Sequence, residues 1–276
     1  MGFKQKVKKV LGLFAKKNYI TVTVKQIEAN KLLVNRRIIV TGGGRGLGFY
    51  IAQRCIAEGA DVLIAGRNEK VLKEAAESLG EKCKWMSFDV ENISDMENFF
   101  EKASIELGGK IDSLVSNAGV SFHEGNFRNV TQEGWDKQMN INLKGNFFMV
   151  KTFIEYLEKQ RDTSGNIIVI TSERAKRPDD IPYGLTKVAT NSFIQSMSKK
   201  IIEKGIRING VGPGVTASDM TGFNRDDNMY AEWQPQKRIF LPEEVAEVVN
   251  FLLSDASNCI SGEIITCDQG RYISQW

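Results

Sequence analysis

Residues 37–52, RIIVTGGGRGLGFYIA, decide the fold of this 276-residue chain. The β-branched run Arg37-Ile38-Ile39-Val40 reads as a buried strand, and the glycines turn it into a helix starting near Phe49-Tyr50-Ile51-Ala52. Gly42 permits a sharp turn, while Gly46 and Gly48 remove Cβ atoms where backbone must approach something closely. A pyrophosphate at the helix N-terminus meets that description, because free amides and the helix dipole favour an anion there. A tight strand-to-helix turn without ligand accounts for the same glycines equally well.

Working outward, short β-rich runs alternate with helical stretches. Strands are predicted at Asp61–Ala65, Lys84–Phe88, Ile111–Ser116, Asn166–Thr171, Ile206–Val211 and Glu263–Thr266. Helices with one apolar face lie between them, as at Val71–Leu79 and Met96–Leu107. This order predicts an α/β fold, a Rossmann-type doubly wound parallel sheet in one domain over residues 36–276. Residues 1–35 are predicted to be an N-terminal extension. Its first seventeen residues place Phe3, Val7, Val10, Leu11 and Phe14 at helical spacing. A strand over Tyr19–Ile27 then turns at Asn30 and Lys31 toward Leu32-Leu33-Val34, a hairpin.

Composition sets further bounds. With 42% hydrophobic and 26% charged residues and a net charge of +3, no acidic partner is required, and nucleic acid is not expected. Residues 1–17 carry six lysines and no acid, leaving the remainder near −3. Such a basic amphipathic helix suits a peripheral contact with an anionic membrane; packing on its own domain or another subunit is the favoured alternative. Cys55, Cys83, Cys259 and Cys267 show no CxxC and no nearby histidine, so free thiols in a reducing cytoplasm are expected and a metal site is not. No apolar stretch reaches the roughly 18–20 residues that span a bilayer.

A second constellation is Tyr183-Gly184-Leu185-Thr186-Lys187, which stacks a phenol and an ammonium on one face at the start of a helix. A tyrosine of ordinary pKa, about 10, carries protons poorly near neutrality. A fixed positive charge favours the phenolate, so the spacing predicts a phenol below its usual range. Two residues sharing a helix surface would look the same in isolation. Here Ser172 follows the strand Asn166–Thr171, eleven residues before Tyr183, and Asn117-Ala118-Gly119 follows the strand before that.

With these motifs in this order, the chain resembles the short-chain dehydrogenase/reductases, in the single-domain branch with TGxxxGxG and YxxxK. The resemblance runs from about Leu33 to Gly270. It implies that Gly42, Arg45, Gly46, Leu47 and Gly48 line the pyrophosphate turn and that Asp89 and Val90 meet the adenine. It places Asn117, Ala118 and Gly119 along the cofactor, and Pro213, Gly214, Val215 and Ser218 beside its nicotinamide. Asn142, within MNINLKG, would prop a relay water against the lysine. Ser172 would polarise a substrate carbonyl, and Tyr183 would donate its proton. Lys187 would hold the nicotinamide ribose while lowering the tyrosine pKa.

The implied activity is interconversion of a ketone and a secondary alcohol. Within that class a 3-oxoacyl-thioester or a small polar, sugar-like ketone is open, and a nucleotide-binding scaffold without turnover is the rival outside it. The second strand ends Gly66-Arg67, with glycine where NAD binders place an acid for the ribose 2′-hydroxyl. NADP(H) is therefore expected, with Arg67 on the 2′-phosphate and Arg45 as a second charge; a solvated Arg67 is the plain alternative. The segment SERAKRPDDIPY, 172–183, looks shorter than the family's and is densely charged, and CDQG at 267–270 stands where DGG is usual. Residues 216–238 fall where the family carries a substrate lid, with Phe223, Tyr230 and Trp233 suited equally to a pocket wall or to packing of the lid itself. His123 is the single histidine; a place in a surface loop is preferred over contact with substrate. Helices near Trp135–Leu157 and Tyr183–Lys204 resemble the pair through which the family forms dimers or tetramers.

Overall fold

The computed structural model describes residues 19–21 and 31–273. All seven β-rich runs become parallel strands of one sheet: β1 Arg37–Thr41, β2 Asp61–Gly66, β3 Cys83–Ser87, β4 Ser113–Ser116, β5 Gly165–Ile170, β6 Ile206–Pro213 and β7 Ile264–Cys267. Their order across the sheet is β3-β2-β1-β4-β5-β6-β7, so the winding reverses between β1 and β4. Register is direct, with Ile39 opposite Leu63 on one side and Leu114 on the other.

Side-chain alternation along the strands splits the core in two. Ile39, Leu63, Ala65, Ile167 and Val169 pack on helices α3 (Met96–Glu106), α5 (Asn146–Glu158) and α6 (Pro182–Ile201). Their neighbours Ile38, Val40, Val62, Ile64, Ile168 and Ile170 point the other way, onto α1 (Gly46–Ala57), α2 (Glu69–Leu79) and α7 (Pro242–Leu253). Burial on both faces is why these strands read as continuous apolar runs. Local signals set the helix starts: Asn68 accepts the Val71 N–H at 3.1 Å before α2, and Pro182 and Pro242 open α6 and α7. Helix α1 begins at Gly46, three residues earlier than Phe49, so two glycines belong to its first turn.

The hairpin expectation needs correcting at its second arm. Leu32–Asn35 form a turn, with Lys31 and Asn35 at φ 58° and 65°. Glu58, at the end of α1, takes the Leu33 N–H on its carbonyl and the Leu32 N–H on its carboxylate, which removes the donors a ladder would need. Residues 1–17, and all of the Tyr19–Ile27 strand beyond Thr21, lie outside the described residues. Ile20 meets the segment after β6, bonding Met229 N and Asn228 Oδ1. Among the described residues, no helix is long and apolar enough to cross a membrane.

Candidate active site

Where the winding reverses, the strands' carboxyl ends leave a crevice, the usual ligand position in open α/β sheets. The Thr41 hydroxyl accepts the N–H groups of both Asn117 (3.0 Å) and Ala118 (3.1 Å), tying the β1 turn to the β4 turn. Asn117 Nδ2 completes the joint by donating to the carbonyls of Thr41 (2.9 Å) and Gly42 (3.2 Å). Two of the glycines work differently from each other. A Cβ on Gly48 would overlap the Gly42 carbonyl and the Asn117 amide, so its close approach is to its own chain. Gly46 has φ +54° and only Ser218 Cβ nearby, at 3.7 Å, so it needs glycine for its backbone and faces open space. Helix α1 has no side-chain cap and no acid in its first turn, so the amides around Leu47 stay free for an anion. The glycine turn therefore fits a dinucleotide pyrophosphate.

Ser218 brings the stretch after β6 against this turn. Gly214 donates to Cys267 O at 2.9 Å and packs on the Phe240 ring, and Val215 accepts the Phe240 N–H, so Pro213–Ser218 lines the same crevice. Asp89, half-buried past β3, accepts Glu91 N on Oδ1, while Val90 is buried and packs against Gly145. Arg67 is exposed at the end of β2, with no ion pair among the described residues. Arg45 differs from expectation: it pairs with Asp219 at 3.2 Å on the open surface, which offsets the charge it would bring to a phosphate.

The catalytic candidates converge on the other wall. Asn142 is fully buried in a π-helical stretch, Met139–Gly145, between α4 (Gln132–Gln138) and α5. Its amide holds Val120 through both N–H and carbonyl, each at 2.8 Å. Such π-bulges commonly mark functional sites. A Cβ on Gly119 would sit 3.3 Å from Asn142 Oδ1 and 3.9 Å from Lys187 Nζ, so glycine opens the space between them. Lys187 donates to Ile170 O at 2.9 Å, and the Ser172 hydroxyl lies close enough to the Tyr183 phenol to lower its pKa.

The spacing argument for the phenol does not carry through. Burial raises the Tyr183 pKa, opposed by the Ser172 hydrogen bond and the Arg174 charge, with Glu173 adding to the rise. Lys187 sits 5.6 Å from the ring centroid with its ammonium turned to Ile170, and burial pushes it down to about 8. An ammonium turned onto a backbone carbonyl is a weak lever on its neighbour.

The charged loop after Ser172 is mostly consumed in pairs. Arg174 grips Asp179 with Nε–Oδ2 at 2.5 Å and Nη2–Oδ1 at 2.7 Å; Glu173 pairs with Arg271 at 2.9 Å; Asp180 accepts Phe127 N at 3.0 Å. Arg271 also covers Trp233 (4.6 Å) and Tyr272 (5.0 Å), so Trp233 packs against the chain that follows β7. Asp268 of CDQG is buried and accepts Gly270 N. His123 meets the Met220 carbonyl at 2.6 Å, joining the loop after β4 to the segment after β6.

Sequence reasoning passed over Thr41 and Asn146. Asn146 accepts Ser116 Oγ at 2.6 Å and donates to Ala118 O and Asn142 O, bracing the wall beneath Gly119. Its signal was an asparagine four residues after Asn142 in an apolar helix. Arg174 and Asp179 were noticed only as loop charge.

A family model described as "Enoyl-(Acyl carrier protein) reductase" matches residues 42–271. The 3-oxoacyl-[acyl-carrier-protein] reductase FabG of Chlamydia trachomatis is 34% identical over 87% of this chain and 98% of its own length. Sorbose reductase sou1 of Schizosaccharomyces pombe is 31% identical over 86% and 96%. Among solved structures, a Brucella melitensis 3-ketoacyl-(acyl-carrier-protein) reductase complexed with NADH superimposes at TM-score 0.81. It has 25% identity, over 87% of this chain and all of that one. The chain belongs to the short-chain dehydrogenase/reductase family of oxidoreductases.

Proposed function

We propose that this oxidoreductase uses NADP(H) to interconvert a ketone and a secondary alcohol, with Tyr183 as general acid and base. One observation supports the reading: Asn142 and Lys187 meet across Gly119, next to the Asn117–Ala118 turn that packs on Gly42, and Ser172 acts on the Tyr183 phenol beside them. When bound, the cofactor supplies the hydride that reduces the carbonyl carbon. Ser172 and Tyr183 hold the carbonyl oxygen where negative charge develops, and the phenolic proton goes to that oxygen. Lys187 binds the ribose hydroxyls and, with a water placed by Asn142, returns a proton to Tyr183. Gly42, Gly46, Leu47 and Gly48 hold the pyrophosphate, Asp89 and Val90 the adenine, Asn117–Gly119 the central part, and Pro213, Gly214, Val215 and Ser218 the nicotinamide.

The exposed Arg67 and the missing acid at Gly66 support NADP(H) over NAD(H). A 3-oxoacyl thioester is the substrate class favoured by the 34%-identical relatives, and a sugar ketone is the second. Residues 36–276 form the catalytic unit, and residues 1–35 an appendage whose basic segment meets either its own oligomer or an anionic membrane. The half-exposed Trp135, Leu185 and Val188 on α4 and α6 suit a homo-oligomeric face.

NADPH consumption with a panel of 3-oxo esters and sugar ketones tests the activity. Tyr183→Phe is expected to lower kcat by about a thousandfold while nucleotide binding persists. Undiminished turnover in Tyr183→Phe defeats the reading. NADH binding as tight as NADPH defeats the cofactor assignment alone. Co-sedimentation with anionic vesicles, before and after deletion of residues 1–17, decides the membrane contact.

A further inference from the structure

We propose that Arg174 and Asp179 are a positioning pair for the Ser172–Tyr183 couple, bracing the short loop between them and fixing a cation beside the phenol. The inference rests on the proposal that Ser172 and Tyr183 do the chemistry.

The Arg174–Asp179 pair links the Ser172 end of the loop to its Ile181 end. The Arg174 N–H donates to Ser172 Oγ at 3.2 Å, which leaves the serine proton free to point at the phenol. The Arg174 side chain then forks onto Asp179 through two parallel bonds. Asp179 is almost fully buried, with side-chain exposure of 1%, and its Oδ1 also accepts Ile181 N, fixing the entry to α6. Its carboxylate lies where a Cβ on residue 184 would stand, so Gly184 is the cavity that admits it. Tyr183 is the residue beside that cavity. The guanidinium is therefore held beside the start of the helix that carries Tyr183, near enough for its charge to lower the phenol's pKa.

Arg174 itself is paired with the Asp179 carboxylate, and further charges act on the phenol. Tyr183 faces Arg174, Glu173 and, at 5.6 Å from its ring, Lys187. Glu173 is in turn met by Arg271, Arg177 and Asp268. Arg174 is thus the cation that opposes burial of the phenol and the neighbouring Glu173 charge, while Lys187 turns to Ile170. Removing it disfavours the phenolate, so alcohol oxidation, which starts from phenolate, shifts its rising limb to higher pH.

The test titrates Tyr183 as the difference in tyrosinate absorbance between each protein and its Tyr183→Phe counterpart, which needs no substrate. Turnover is followed with NADPH and ethyl acetoacetate, and with NADP+ and ethyl 3-hydroxybutyrate. Arg174→Met is expected to move the Tyr183 midpoint to higher pH and to lower kcat about tenfold, with KM within about twofold. Arg174→Lys keeps the charge and loses the fork, so it restores most of the midpoint but only part of kcat. Asp179→Asn, which keeps the volume, lowers kcat by slackening the loop. Melting temperatures confirm that each variant folds; if Arg174→Met does not fold, Arg174→Lys and Asp179→Asn carry the test. A Tyr183 midpoint and kcat at wild-type values in the folded variants overturn the inference, as does lost stability with an unmoved midpoint. Full turnover in Tyr183→Phe overturns instead the reading beneath it.

Discussion

The glycine turn and the Ser172–Tyr183 loop face each other across one crevice, and they are built by opposite means. The turn is made of backbone: a positive φ at Gly46, a Cβ excluded at Gly48, and amides left uncapped at the start of α1. The loop is made of side chains, with Arg174 on Asp179 and Glu173 on Arg271 closing it. A backbone device tolerates almost any surrounding charge and fails on one methyl group. A side-chain device tolerates small steric change and fails when a partner is lost.

The largest effect separates the two glycines within the turn. Gly48→Ala forces a Cβ into the Gly42 carbonyl and is expected to cost about 3 kcal/mol in denaturant unfolding. Gly46→Ala has room for its methyl and carries only the left-handed backbone cost, about 1–2 kcal/mol. Equal losses would erase the distinction between packing and conformation.

Gly184→Ala carries the contrast into the loop. Its methyl displaces the Asp179 carboxylate, so a loss of about 2 kcal/mol is expected together with reduced turnover. Nucleotide affinity should stay at the wild-type level; if it falls as well, the two walls are not independent.

Arg67→Asp should weaken NADPH binding by about ten- to a hundredfold, the worth of one charge-assisted contact, and leave NADH nearly unchanged. An equal drop for both nucleotides would place Arg67 outside the 2′-phosphate site.

The smallest effect is a pH slope. Lys187, pushed down to about 8 by burial, holds its proton less tightly in the fold than in the unfolded chain, where the pKa is about 10.4. The unfolded state therefore binds more protons between those values. The lysine's contribution to stability is lowest and flat below about pH 8 and rises toward pH 10. Burial raises Cys55 and Cys267 to about 12, and these thiols act in the opposite sense above about pH 8.5. The difference between wild type and Lys187→Met isolates the lysine. A constant difference across that window would mean that Lys187 is not desolvated.

Legibility followed the same divide. All seven strands were readable, because strands buried on both faces write themselves as apolar runs. The motif residues of the turn were readable because glycine is the residue type that meets a conformational requirement. Asn146 and Thr41 escaped notice because a buried asparagine or threonine announces nothing until its partners, thirty and more residues away, are known. The Leu32–Val34 arm was misjudged because the carboxylate of Glu58 took the donors that a strand would have used. The phenol was misjudged because helical spacing gives proximity to Lys187 and says nothing of where that ammonium points.

The sequence alone determined the parallel sheet, through the periodicity of its apolar runs, and the family, through the resemblance its motifs carry in order. Tertiary structure decided which charges pair: Arg45 with Asp219, Arg174 with Asp179, Glu173 with Arg271. The physical reason is range. Backbone preference acts within a few residues, whereas burial and Coulomb partners are set by whatever the fold brings alongside.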